Sequence, residues 1–128
     1  MDPHKEIIRS TVDPLSRTIN LKRATWDIHI LKHQELEQSL DGVMNLFSQP
    51  NYIVSDEEED VRQVYISPLY LASKDKIALA VGVVEFDGVA CSGSGDIVTA
   101  YVISRGISLR GRSLVYSQSG GGPHESEL

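Results

Sequence analysis

The chain is poor in cysteine, in long apolar runs and in basic charge. Its single cysteine, Cys91, can form neither an internal disulfide nor a thiolate-rich zinc site. No stretch approaches the roughly 20 apolar residues needed to span a bilayer; the longest, Ile77 to Val84, has strand length. The opening Met1-Asp2-Pro3-His4-Lys5-Glu6 contains no apolar signal core. These absences favour a cytoplasmic protein in a reducing compartment, with no membrane partner. What is present, 128 residues of which 41% are hydrophobic, suffices for one domain with one core.

The net charge of −6 speaks at first against nucleic acid, since phosphate binders usually carry a basic surplus. The charge is unevenly spread. Asp56 to Asp60 is an unbroken acidic run, and Glu125 and Glu127 lie near the end. Without those seven, 11 of the 18 acids remain against 12 bases, a balance of +1. The acidic run reads as a solvated loop, because like charges repel and extend. Arg105, Arg110 and Arg112 gather near the end of the strand-rich half and permit contact with an RNA backbone.

Residues 1–24 read as a polar lead-in, with a short helix or disorder before Pro14 and a weak signal from Leu15 to Arg23. Thr25 can cap a helix through Trp26, Ile30 and Leu31. A second helix, Glu35 to Ser48, carries Leu36, Leu40, Val43, Met44 and Phe47 as one apolar stripe, ended by Gln49-Pro50-Asn51. The period then shortens. Strands are expected at Tyr52–Val54, Val61–Leu71, Ile77–Phe86, Asp96–Ile103 and Leu114–Tyr116. Pro68 suggests a bulge or an edge, and Ile77–Phe86, apolar on both faces, a central strand. Residues 118–128 are rich in Gly, Ser and acid and read as a disordered tail. Helices first and an antiparallel meander after them give an α+β class.

The polar residues that could carry chemistry fall on two phrases. His29 and His33 are four apart, so on a helix they share a face. They lack the intervening glutamate of the zinc-protease pattern, and no acidic third ligand stands out. Imidazole is the natural proton-transfer group near neutrality; two half-exposed helix histidines packed beside Trp26 are the plainer reading. Thr99 and Tyr101 alternate with Val98, Ala100 and Val102, so the small apolar face can lie under the helices while the hydroxyl and phenol face away. Arg62 offers a fork suited to a phosphate, or a salt bridge to the acidic run just before it.

Taken together, Trp26-x-x-His29-Ile30-x-x-x-His33, the helix that follows, Pro50-Asn51-Tyr52-Ile53, Arg62 leading to Tyr65, and Val98-Thr99-Ala100-Tyr101 resemble a known pattern. It is W-x-x-H-I…H-P-E-L…P-D-x-I, found in the phage-type branch of the barnase–EndoU–colicin–RelE-like nucleases, small α+β ribonucleases of toxins and mobile elements. The resemblance spans residues 25–117, the expected nuclease domain. The chain has Gln34 where the pattern has proline, and Asn51 where it has aspartate. The resemblance implies N-terminal helices packed on a roughly four-stranded antiparallel sheet. It also implies a metal-independent RNA endonuclease acting through the 2′-hydroxyl, with no cofactor. Its implied site is His29, His33, Arg62, Thr99 and Tyr101, with Arg105, Arg110 and Arg112 on the RNA backbone. An antitoxin or immunity partner would restrain such an enzyme. A catalytically inactive interaction module of the same fold is the alternative, favoured by the net negative charge. A zinc or other hydrolase is the third.

Overall fold

In a computed structural model, residues 5–30, 40–71, 75–103 and 112–118 are described, with the backbone alone for residues 29–30 and 69–71. The strands are β1 (Ile7–Val12), β2 (Thr18–Lys22), β3 (Tyr52–Ser55), β4 (Arg62–Leu71), β5 (Lys76–Phe86), β6 (Ser94–Ile103) and β7 (Leu114–Ser117). One helix, α1 (Leu40–Ser48), and one π-helical segment, Thr25–Ile30, accompany them.

All seven strands belong to one sheet, in the order β1-β2-β6-β5-β4-β3-β7. Neighbours run antiparallel except β2 and β6, which are parallel. The expectation of helices packed on a four-stranded antiparallel sheet is therefore wrong: the sheet is seven-stranded and mixed, with one short helix and one π-helical piece among the described residues. The physical reason lies in residues 7–22, read from sequence as a polar lead-in. They form a hairpin whose inward side chains, Ile19 and Leu21, are fully buried. Two large apolar residues on one face suffice to dock a short ribbon onto a larger sheet.

The hairpin turns through Asp13-Pro14-Leu15-Ser16-Arg17. Pro14 presets the φ of the second turn position, and Asp13 is favoured at the first. Ser16 N donates to Asp13 O at 2.9 Å, and Asp13 N to Arg17 O at 3.0 Å. Ser16 takes a positive φ of 65° to close the turn. Pro68 in β4 is tolerated for a legible reason. Ile66 O points toward the β3 side, where it accepts from Asn51 N, so the missing donor two residues on points the same way. There β3 has already ended, at Tyr52 opposite Ile66.

The core lies between α1 and one face of the sheet. α1 has only nine residues, too few to hold a helix alone. It buries Val43, Met44, Leu46 and Phe47, each contributing about 1.5–3 kcal/mol of apolar transfer. Its seat is the row Tyr65–Gly82–Ala100 across β4, β5 and β6. The small residues admit the Phe47 ring, which meets the Tyr65 ring at 5.2 Å between centroids. A second cluster, Val54, Val64, Ile66 and Val81, lies on the opposite face, with Leu79, Val83, Tyr101 and Ile103 packed against it. β5 is thus apolar on both faces and central, as its composition implied.

A Cβ at Gly82 would run into the Phe47 ring and come within 3.0 Å of Leu46 Cδ2. Gly82→Ala is expected to destabilise the fold by about 1–3 kcal/mol through overpacking. Urea denaturation would show it as a lower midpoint at unchanged slope; an unchanged midpoint would mean α1 does not seat on β5 this closely.

Candidate functional site

The face of the sheet away from α1 gathers three of the residues singled out in the sequence. Arg62 pairs across to Glu85 in register, and Glu85 to Asp96 on β6. Successive residues alternate faces, and Val64 and Val83 belong to the far cluster. Arg62, two residues from Val64, therefore shares that face. Thr99 stands opposite Val83, and Tyr101 opposite Val81. A bulge between Val83 and Val84 sets this arrangement. Val98 is the extra residue, Ile97 enters the core with Ala100 and Val102, and Thr99 and Tyr101 turn away from α1. The expected separation of Thr99 and Tyr101 from Ala100 and Val102 holds, but Val98 does not join the inner face.

At one end of this face the charges form a row. Arg62 Nε lies 2.9 Å from Glu85 Oε1, and Lys22 Nζ 3.2 Å from Asp96 Oδ2. The Arg62 guanidinium bonds Glu85 across the strands, while it is the Arg62 backbone that meets the acidic run, donating to Glu59 O and accepting from Asp56 N, each at 3.1 Å. Both pairs are roughly 40–50% exposed, so each contributes at most about 1 kcal/mol and can open for another ligand. Tyr101 packs over the apolar cluster beyond them.

His29 lies on the π-helical segment, which continues from β2 and runs against β6. Trp26 on that segment packs into the main core and fixes it. His29 is described by its backbone, whereas His33, Arg105 and Arg110 lie outside the described residues. Arg112, just before β7, is placed differently from a free phosphate contact. Its side chain is 14% exposed, and its Nη2 lies 3.7 Å from Glu57 Oε1.

Sequence reasoning missed a buried polar network. Asp13 Oδ1 accepts from Leu15 N at 3.0 Å and Arg17 N at 2.9 Å. Its Oδ2 accepts from Arg17 Nε at 2.8 Å and from the Tyr65 hydroxyl at 2.6 Å. Arg17 also donates through Nη1 to Cys91 O at 2.8 Å and through Nη2 to the Tyr65 oxygen at 3.2 Å. The guanidinium lies 4.4 Å from the centre of the Phe86 ring. Asp-Pro at the start of a tight turn was the signal available: an aspartate there bonds the amide two residues on, and in this turn it takes the Arg17 amide as well. Its partner Tyr65, 52 residues away, could not be read from spacing.

Burial, reinforced by the hydrogen bond to Asp13, pushes the Tyr65 phenol upward, so it stays protonated and donates. Burial likewise raises the Cys91 thiol, against the nearby charge of Arg17. That thiol is buried and donates to Asp60 O at 3.4 Å. It serves to tie the β5–β6 loop to the β3–β4 turn and is a poor nucleophile.

Tyr65→Phe removes a buried hydrogen bond to a carboxylate and should cost about 1.5–3 kcal/mol. The pH response has a definite sign. The folded phenol holds its proton above the unfolded value of about 10, so its contribution is complete below that pH and is lost as pH rises past it. Urea midpoints of wild type should fall from pH 8 to pH 11, and those of Tyr65→Phe should fall less; equal falls would exclude Tyr65 as the cause. Comparison of the chain with protein families, with curated proteins and with solved structures finds no match.

Proposed function

We propose that the protein cleaves RNA without a metal on the sheet face opposite α1. The observation that carries this reading is the co-facial placement of Arg62, Thr99 and Tyr101 across β4 and β6; the segment bearing His29 contacts β6 but anchors Trp26 in the core on the α1 side, so His29 enters the reading from the sequence resemblance. In this reading the 2′-oxygen attacks the adjacent phosphorus, forming the O2′–P bond as the P–O5′ bond breaks. His29 takes the 2′ proton or supplies one to the leaving 5′ oxygen. Arg62 exchanges Glu85 for the phosphate and stabilises the charge that develops there. Thr99 donates to a non-bridging oxygen. Tyr101, rising from the apolar cluster, gives a base a surface to stack on. The exposed Arg62–Glu85 pair suits the exchange, because little free energy is lost in opening it.

The test is cleavage of a mixed-sequence RNA by the full chain in EDTA. His29→Ala should lower the rate by about 10²–10⁴-fold. Thr99→Ala should lower it by about 10²–10³-fold, while Thr99→Ser, which keeps the hydroxyl, should retain most of it. Loss of all cleavage in EDTA, or full activity in both alanine variants, would sink the reading. A folded wild type that leaves RNA intact would leave the face as a protein-interaction surface.

A further inference from the structure

Four side chains form a row at the charged end of the face. Arg62 on β4 stands opposite Glu85 on β5, Glu85 opposite Asp96 on β6, and Lys22 on β2 reaches Asp96. The order is base, acid, acid, base. Carboxylates directly opposite one another on neighbouring strands repel and destabilise a sheet. Here each is held by one cation: Glu85 Oε1 by Arg62 Nε at 2.9 Å, and Asp96 Oδ2 by Lys22 Nζ at 3.2 Å. Arg62 also borders a polar hollow of about 520 Å³ whose wall carries Asp56, Glu57, Glu59 and Asp60. The cation on which Glu85 depends is thus itself bordered by acid.

The strand order puts β5 between β4 and β6. A phosphate held by Arg62 from one side and by Thr99 from the other therefore lies over β5. Thr99 stands opposite Val83, which makes it the diagonal neighbour of Glu85, at about 7–8 Å. Of the β5 side chains on that face, Val81, Val83 and Glu85, Glu85 is the one that can take a proton. The attacking 2′-hydroxyl belongs to the ribose that carries this phosphate. Its base must therefore stand beside the phosphate, within about 3 Å of the hydroxyl or one water away. Register places Glu85 there, whereas the segment bearing His29 is anchored from the α1 side.

We propose that Glu85 is the base that takes the 2′ proton, and that the substrate itself releases it. The inference rests on the RNA-cleavage reading and narrows His29 to proton donor for the leaving oxygen. A phosphate that takes Arg62 strips Glu85 of its cation and leaves it facing Asp96. A carboxylate that loses its counter-ion and faces a like charge holds a proton more tightly. In the reaction the 2′ O–H bond breaks, its proton passes to a Glu85 oxygen, and the electron pair forms the O2′–P bond. The P–O5′ bond breaks and O5′ takes a proton from His29 or water. One proton leaves the substrate and one enters it, so no co-reactant is consumed.

The experiment is cleavage of mixed-sequence RNA in EDTA by the full chain and two variants. Glu85→Gln keeps an oxygen for Arg62 Nε but cannot act as the base, and the site is about half exposed, so the fold is kept. Its kcat should fall by about 10²–10⁴-fold with little change in KM. Glu85→Ala should lose as much and regain part of its rate in sodium formate, which supplies a carboxylate from solution. Undiminished kcat in Glu85→Gln, a change confined to KM, or no response of Glu85→Ala to formate would overturn the inference and leave RNA cleavage standing. A folded wild type that leaves RNA intact would overturn the cleavage reading, and Glu85 as its base with it.

Discussion

The Asp13–Arg17–Tyr65 network holds the sheet's added ribbon in place. A two-stranded hairpin is marginal alone, and the ladder between β2 and β6 spans just Thr18–Asn20. What fixes the ribbon is the burial of Ile19 and Leu21 together with one carboxylate that closes the turn and reaches β4. Burying the Arg17–Asp13 pair carries a desolvation cost. That cost is offset because both carboxylate oxygens are bonded and the guanidinium has four kinds of partner: a carboxylate, a backbone carbonyl, a phenol oxygen and an aromatic face. Through Cys91 O the same guanidinium also sets the loop that delivers β6 to its parallel neighbour.

The two faces of the sheet are not independent. Gly82 and Ala100 are small because Phe47 must sit on them, and Ala100 reaches that face only because the strand bulges at Val98. The same bulge determines that Thr99 and Tyr101 face away. Removing it, so that the register slips by one residue, would turn Thr99 into the core and leave Ala100 outside. The placement of the candidate chemical residues is therefore tied to the close approach of α1 on the other side.

Much of the meander was legible. The alternation in Arg62–Ile66, the two-sided apolarity of Ile77–Val84 and the stop at Pro50 are local signals, and local signals dictated those elements. The hairpin of residues 7–22 was not legible, because its apolar content is Ile19 and Leu21 amid polar residues, and their burial depends on a sheet elsewhere in the chain. The π-helical turn at Thr25–Ile30 stands where a capped α-helix was expected. There Trp26, packed in the core, imposes the local path rather than intrinsic propensity. Of the candidate site, strand periodicity correctly put Thr99 and Tyr101 on one face. The Glu85 partner of Arg62 and the Glu57 neighbour of Arg112 come from register, and no spacing within the sequence encodes that.

Arg62 connects the two surfaces. It borders the acidic hollow and at the same time stands on the face with Thr99. Groups this near interact within a Debye length of about 8–10 Å. The carboxylates of the acidic turn therefore oppose the approach of a phosphate to Arg62, and Glu85 holds the guanidinium that a phosphate would need. A phosphate that takes Arg62 from Glu85 works against both, so its hold on this face depends on the Thr99 hydroxyl and on stacking over Tyr101 as well as on charge.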